Sequence, residues 1–134
     1  MFSGSTVLER VSSKVHKFRG KLSFENDKIK VTILEGMLTD GASIPRIFWT
    51  IIGCPLDGKY SGSALIHDGL YGSHKTSKEI ADKLFDEMLR DNGVGRFRRK
   101  LMYWAVKYFG SKAYYGKTKA QITKMKQYVM VELK

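Results

Sequence analysis

A histidine followed directly by an aspartate lies within residues 63–72, SALIHDGLYG, a run of largely small and apolar residues. This composition predicts a helix, on which His67 and Tyr71 stand together at positions i and i+4. Asp68 projects about 100° away from His67 on such a helix. Adjacent side chains on a helix cannot hydrogen-bond well to each other, so His67 and Asp68 must serve different partners. We expect one of them to move protons and the other to bind a second group.

A carboxylate from another helix would make His67 a general base near neutral pH, because it fixes the imidazole tautomer and stabilises the imidazolium. Asp82 is the best-placed carboxylate, since it lies about 20° beyond the apolar arc of the helix predicted over residues 77–91. We therefore predict that Asp82 orients His67 as the catalytic base and that Tyr71 supports the pair. The apolar arc consists of Ile80, Ala81, Leu84, Phe85, Met88 and Leu89.

Asp68 is then available to a hard cation, which prefers carboxylate and carbonyl oxygens. The loop TDGAS, residues 39–43, offers Asp40 and a glycine that lets the backbone turn its carbonyls inward. Asp40 and Asp68 are therefore the predicted cation ligands. Each of these residues also has a plain structural interpretation, with His67 as a hydrogen-bonded packing residue, Asp40 in an ordinary turn and Asp68 paired with a basic side chain.

The elements that must position these groups follow from hydrophobic periodicity. Apolar and polar residues alternate with period two over residues 7–39, on both sides of a turn at Asn26 and Asp27. This pattern predicts a small antiparallel sheet. Beyond Ser43, a possible helix cap, the pattern becomes helical. Helices are predicted in SIPRIFWTIIG and over residues 60–71, 77–91 and 94–109.

The end of the chain is predicted to return to the sheet. Asn92 and Gly93 separate the last two helices so tightly that we expect an antiparallel pair. Residues 110–127 are lysine-rich and are predicted to be a loop. The alternation in QYVMVEL, residues 127–133, indicates an edge strand that joins the N-terminal sheet.

The chain of 134 residues has the length of one domain, and 43% hydrophobic residues suffice for a single modest core. We predict one α+β domain over residues 1–134, in which a small N-terminal antiparallel β region packs on a bundle of about four helices. The β-rich part covers residues 1–40, the helical part residues 43–110, and a basic segment with the possible edge strand residues 111–134.

Composition restricts the setting of the protein. No run of about 18 apolar residues could span a bilayer, and the N-terminal residues lack the order of a secretory signal. Cys54 is the one cysteine, so no internal disulfide and no cysteine-based zinc cage can form. We expect a soluble protein that is not exported by the ordinary signal route.

The net charge of +11 lies almost entirely in the last third, because residues 93–134 contain 11 basic residues and 1 acidic residue. Such a surface is typical of proteins that contact phosphates of nucleic acid or of anionic lipids, although a solubilising basic tail is an alternative. Nucleic acid is disfavoured, because no recognised motif accompanies the charge. The predicted anionic-surface face of the helix over residues 94–109 consists of Arg96, Arg99, Lys100, Tyr103 and Lys107, opposite a predicted core arc of Phe97, Leu101, Trp104, Ala105, Tyr108 and Phe109.

The blocks TDGASIPRIFW, ALIHDGLYG, IADKLFDEML and MYWAVKYFG, spread over residues 36–110, resemble an uncharacterised family of phage and prophage proteins, a domain of unknown function. That resemblance implies a phage-type accessory protein in the host cytoplasm or the virion. It carries no settled activity.

A more distant resemblance concerns secreted bacterial and fungal phospholipases of the A-two type. Asp40-Gly41-Ala42-Ser43, His67-Asp68-Gly69-Leu70-Tyr71 and Asp82-Lys83-Leu84-Phe85 stand in the order of their loop, His-Asp helix and later Asp helix. The resemblance implies that His67 deprotonates water, that Asp82 orients His67, and that calcium held by Asp40 and Asp68 polarises the ester carbonyl. The cysteines of those lipases are absent here.

Three functional hypotheses result. The first is a phage-type accessory protein with a calcium-dependent, phospholipase-like hydrolytic site that acts on anionic phospholipid. The second is a non-enzymatic phage component, which uses the same residues as a buried polar scaffold and its basic third to bind an anionic virion partner. The third is nucleic-acid binding.

Overall fold

The computed structural model describes residues 1–5, 7–12, 15–39 and 60–134. Within these residues it has α+β architecture, as predicted. The strands are β1 (Phe2–Gly4), β2 (Val7–Arg10), β3 (His16–Arg19), β4 (Leu22–Glu25), β5 (Ile29–Ile33), β6 (Leu38–Thr39) and β7 (Val129–Leu133). The helices are α1 (Ser61–Ser73), α2 (Lys78–Asp91), α3 (Arg96–Phe109), α4 (Ser111–Tyr115) and α5 (Lys119–Lys126).

The strands form two antiparallel sheets. The larger has the order β1-β4-β5-β7, and the smaller has the order β2-β3-β6. Strand β7 pairs with β5 at the edge of the larger sheet, with Val31 opposite Val131, so the predicted return of the C-terminal strand is confirmed. The predicted turn between β4 and β5 is present, because the side-chain oxygen of Asn26 accepts hydrogen bonds from the backbone N–H groups of Lys28 and Ile29.

Helix α1 lies at the centre of the fold, with every residue from Gly62 to Ser73 buried. It packs against the larger sheet at Gly69, where an added Cβ would lie 2.7 Å from Cδ1 of Ile33 and 3.3 Å from Cγ2 of Val129. The helix ends where His74 takes a left-handed φ of 53°. Because the helix is enclosed over this range, the polar side chains between Gly62 and Ser73 lie inside the protein.

Helix α2 begins at Ser77, whose side chain accepts a hydrogen bond from the backbone N–H of Ile80. Most of the predicted apolar arc is buried, but Ile80 is 48% exposed and Asp82 only 3% exposed. The buried face is therefore rotated away from Ile80 and towards Asp82 and Lys78. The rotation follows from the ion pair between Lys78 and Asp82, which allows both charged side chains to enter the interior.

The predicted core arc of α3 is correct at Ala105, which is buried, but wrong at its aromatic residues. Phe97, Trp104, Tyr108 and Phe109 are each more than 50% exposed. The residues that α3 does bury are Met102, Ala105 and Val106. This stripe has the spacing i, i+3 and i+4 and lies about one residue, or about 100°, from the centre of the predicted arc.

The loop predicted over residues 110–127 is also wrong, because α4 and α5 occupy most of it. Helix α5 begins with a capping box, in which the side chains of Thr118 and Gln121 each bond to the other residue's backbone N–H. It approaches α1 closely, since a Cβ added to Gly72 would lie 2.9 Å from Cγ of Met125.

Among the described residues, no helix has both the length and the apolar composition needed to cross a membrane. The helix predicted in SIPRIFWTIIG, the loop TDGAS and Cys54 lie outside the described residues.

Candidate active site

Two helices bring four polar side chains together inside the protein. Helix α1 supplies His67 and Tyr71, and helix α2 supplies Lys78 and Asp82. Each pair has the spacing i and i+4, which places both of its members on one face of its helix. We call these four residues the His67 cluster. Three of them were predicted to act together from the sequence.

Asp82 is the acceptor at the centre of the His67 cluster. Its Oδ1 accepts hydrogen bonds from Nε2 of His67 at 2.9 Å and from the hydroxyl of Tyr71 at 2.5 Å. Its Oδ2 accepts a hydrogen bond from Nζ of Lys78 at 2.8 Å. Burial would raise the pKa of Asp82, but the bonds from His67, Lys78 and Tyr71 outweigh burial and lower this pKa. Asp82 is therefore a carboxylate, although it is only 3% exposed.

Lys78 connects the carboxylate to a third helix. Its Nζ also donates to the backbone oxygens of Val106 at 2.9 Å and of Lys107 at 3.2 Å, both on α3. An ammonium group has three N–H donors, so these contacts and Asp82 together use all of them. Lys78 was not among the site residues predicted from the sequence. The available signal was its position four residues before Asp82, where two opposite charges on a helix attract each other.

The tautomer of His67 follows from its partner. Because a carboxylate only accepts hydrogen bonds, Nε2 of His67 must carry the proton that lies towards Asp82. Burial lowers the pKa of His67, and the opposing attraction of Asp82 is smaller. The imidazole is thus neutral near pH 7, and its other nitrogen, Nδ1, is unprotonated and carries a lone pair.

That nitrogen is the unusual atom of the site. His67 is 0% exposed, and its ring lies 4.2 Å from the ring of Tyr71 and 4.5 Å from that of Phe85, measured between centroids. In the described part of the chain, Nδ1 of His67 is buried without a hydrogen-bond partner. A buried polar atom without a partner costs free energy, and such atoms are often found where a protein has a chemical task.

Tyr71 holds the carboxylate from the side of α1. Burial, together with the nearby charge of Asp82, raises the pKa of the Tyr71 hydroxyl, which therefore stays protonated and acts as a donor. The backbone at Gly110 approaches this hydroxyl so closely that an added Cβ would lie 2.8 Å from it. The position of Tyr71 is therefore fixed by packing as well as by hydrogen bonding.

Of the two predicted cation ligands, Asp68 lies within the described residues and Asp40 does not. Asp68 is 6% exposed, and its Oδ2 accepts a hydrogen bond of 2.5 Å from the hydroxyl of Thr39. Asp40 lies outside the described residues. Within the ranges that the structure describes, no group of three or more His, Cys, Asp or Glu side chains could hold a metal ion.

The predicted anionic-surface residues lie along α3. Arg96 and Lys100 are exposed, whereas Nε of Arg99 forms an ion pair with Asp86 at 3.0 Å. Nζ of Lys107 lies 5.9 Å from the ring centre of Tyr103.

Exposed aromatic rings accompany these cations. Trp104, Tyr108 and Phe109 are 51%, 57% and 56% exposed, and Nζ of Lys107 lies 5.4 Å from the ring centre of Tyr108. The indole of Trp104 lies 5.3 Å from the ring of Tyr108 and 6.0 Å from that of Phe109, measured between centroids. We call these three aromatic residues and Lys107 the α3 aromatic patch. Lys107 was predicted to be exposed, whereas the three aromatic residues were predicted to lie in the core.

Comparison with known proteins identifies relatives of the chain. Residues 17–106 match the model of a family described as a protein of unknown function, DUF1353. This range includes all four residues of the His67 cluster.

Two relatives come from Sinorhizobium fredii (strain NBRC 101917 / NGR234). The uncharacterized protein y4jT is 38% identical over 82 residues, which cover 61% of this chain and 24% of that protein. The uncharacterized protein y4iH is 38% identical over 73 residues, which cover 54% of this chain and 30% of that protein. The chain therefore spans less than a third of the length of either curated relative. No solved structure matches the chain.

Proposed function

The chain belongs to the DUF1353 family, and we propose that its His67 cluster is a hydrolytic site of the phospholipase type. One observation supports this proposal above all others. The imidazole of His67 is held by Asp82 through Nε2 at 2.9 Å, while Nδ1 has no partner among the described residues. A general base requires this arrangement, with one nitrogen fixed by an orienting carboxylate and the other able to accept a proton.

Each member of the cluster has a role in the proposed reaction. Nδ1 of His67 takes a proton from water as the water oxygen attacks an ester carbonyl carbon. The imidazolium then gives that proton to the leaving alcohol oxygen when the carbon–oxygen bond breaks. The carboxylate of Asp82 stabilises the imidazolium, and Tyr71 and Lys78 keep this carboxylate in place.

Calcium is part of the proposal through Asp40 and Asp68. The carboxylate of Asp68 and the hydroxyl of Thr39 beside it are hard oxygen groups of the kind that calcium binds. When bound, calcium would polarise the ester carbonyl.

The proposed substrate surface is an anionic phospholipid layer. Arg96, Lys100 and Lys107 supply positive charge along α3, and the α3 aromatic patch supplies large amphipathic side chains beside them. Tryptophan, tyrosine and lysine side chains suit the boundary between lipid head groups and acyl chains. The same surface also suits an acidic component of a virion. The proposed phage-type setting rests on the sequence blocks of residues 36–110, and in this proposal the protein acts in the host cytoplasm or the virion.

A second candidate function is supported by the burial of the site. His67 is 0% exposed, and the His67 cluster ties α1, α2 and α3 together through Asp82 and Lys78. In this alternative, the cluster is a polar scaffold of a non-enzymatic accessory protein. The basic residues of α3 would then bind an anionic partner.

One experiment distinguishes the two candidate functions. Wild type and His67→Gln are incubated with phosphatidylglycerol vesicles, with calcium and with a chelator, and released fatty acid is measured. A glutamine amide can still donate to Asp82 but cannot accept a proton at pH 7, so we expect release to fall by about 10²–10⁴-fold. The matched control is His74→Gln, because His74 caps the C-terminal end of the same helix but lies outside the cluster.

Both variants are first compared with wild type by circular dichroism to establish that they fold. Equal release by wild type and folded His67→Gln, or no release by wild type with calcium, would exclude the hydrolytic function. Calcium-independent release that still requires His67 would retain the base and remove the calcium ligands Asp40 and Asp68 from the proposal.

A further inference from the structure

A cavity of about 400 Å³ lies between the smaller sheet and α5. Its apolar lining includes Leu38 of β6 and Met125 of α5, together with the ring of Tyr128. None of its described lining residues belongs to the His67 cluster, and nothing in this inference depends on the proposed chemistry of His67. A concave apolar site of this volume is the usual form of a small-molecule site.

Three lysines also line the cavity. Lys17 comes from β3, Lys117 from the turn before α5, and Lys124 from α5 itself, so residues distant in the chain converge on one space. None of the three forms an ion pair with another described residue, and no acidic residue is present among the described lining residues. Elsewhere on the protein, exposed Arg19 and Lys134 do have carboxylate partners.

The charge and the apolar surface of the cavity together indicate what kind of ligand it binds. Three lysine side chains that line one cavity raise the local electrostatic potential, and a bound anion would relieve their mutual repulsion. An anionic group would not cover the apolar wall formed by Leu38, Met125 and Tyr128, because apolar surface is best covered by aliphatic groups. A small inorganic anion would neutralise the lysines but leave the apolar wall uncovered, and a neutral lipid would cover the wall but leave the lysines without a counter-charge.

We propose that this cavity binds a single-chain anionic amphiphile, with its aliphatic chain against Leu38, Met125 and Tyr128 and its carboxylate or phosphate head group between Lys17, Lys117 and Lys124. The carboxamide of Gln121 also lines the cavity. Its oxygen accepts a hydrogen bond in the capping box, and no described residue accepts one from its N–H donors, which can therefore bond to the head group.

Titration calorimetry below micellar concentrations tests the proposal. The ligands are octanoate, decanoate and dodecanoate, with decyl phosphate, decanol and inorganic phosphate as comparison probes. Burial of each additional methylene should tighten binding about fourfold until the cavity is full. Decanol and inorganic phosphate should each bind at least about tenfold more weakly than decyl phosphate. Comparison of decanoate with decyl phosphate distinguishes a fatty-acid head group from a phosphate head group.

Two variants separate the head group from the chain. Replacing Lys17, Lys117 and Lys124 together by glutamine should weaken decanoate binding about tenfold or more, because three charge-assisted contacts are lost. Leu38→Trp keeps every lysine but fills part of the cavity, so it should reduce the gain in affinity with chain length. The matched control replaces Lys21, Lys119 and Lys126, which are exposed and do not line the cavity.

The control should change decanoate affinity by less than about threefold, as expected for screened surface charge. Three outcomes would overturn the proposal. These are the absence of decanoate binding by wild type, an affinity independent of chain length, and an equal loss in the control variant.

Discussion

Lys78→Met is expected to destabilise the protein severely. Methionine retains the apolar stem of lysine but removes the ammonium group, which is 2.8 Å from Oδ2 of Asp82 and donates to two carbonyls of α3. Asp82 is 3% exposed and would keep its charge without a cationic partner from Lys78. Removal of one partner from a buried ion pair costs about 3–5 kcal/mol. For a chain of this length, the melting temperature should fall by about 10 °C or more.

The matched control is Lys83→Met on the same helix. Lys83 also has a carboxylate partner four residues away, but its distance to Glu79 is 3.4 Å and the two side chains are 66% and 77% exposed. An exposed pair of this kind contributes less than about 1 kcal/mol.

Urea denaturation followed by circular dichroism measures both variants against wild type. A double variant, Lys78→Met with Asp82→Asn, should recover part of the loss, because it removes the buried charge as well as its partner. Equal destabilisation by Lys78→Met and Lys83→Met, each below about 1 kcal/mol, would refute the assignment of Asp82 as a buried carboxylate held by Lys78.

Three further predictions concern stability. Because the pKa of His67 is lower in the folded protein than its ordinary value of 6.5, the unfolded chain binds more protons than the folded protein below that pH. The free energy of unfolding should therefore fall as the pH drops below 6.5, by up to about 1.4 kcal/mol per pH unit. Urea denaturation at a series of pH values measures this dependence on pH, which should be weaker for His67→Gln. Tyr71→Phe removes a donor from buried Asp82 and should cost about 1–3 kcal/mol by the same measurement, whereas an unchanged midpoint would contradict the 2.5 Å bond. Gly36→Ala should cost about 1–3 kcal/mol in thermal unfolding, because φ is +105° and the new Cβ would lie 2.8 Å from the ring of Tyr128; a neutral result would show that this turn relaxes freely.

Helical periodicity predicted the meeting of His67 and Asp82, because it placed Asp82 at the edge of the buried face of its helix, within reach of a group inside the protein. It could not predict how deeply Asp82 is buried. That depth depends on Lys78, and a lysine in a sequence is ordinarily assigned to the surface. The β-strands were easier to predict, since alternation over residues 7–39 and 127–133 has one simple structural meaning.

Helix α3 could not be oriented from its sequence. Its large aromatic residues suggested a core face, yet the stripe that packs inside is Met102, Ala105 and Val106. Hydrophobicity alone does not distinguish a packed ring from an exposed one, because much of a protein's surface is apolar. Helix α5 was not predicted, because its many lysines suggested a loop and the capping box at Thr118 and Gln121 was not recognised.

The nitrogen resonances of His67, measured by NMR across a pH titration, test the central claim most directly. We predict that Nε2 carries the proton at pH 7, that Nδ1 is unprotonated, and that the ring protonates only well below pH 6.5. A proton on Nδ1 at neutral pH, or titration at the ordinary histidine value, would contradict the assignment of His67 as a neutral base oriented by Asp82.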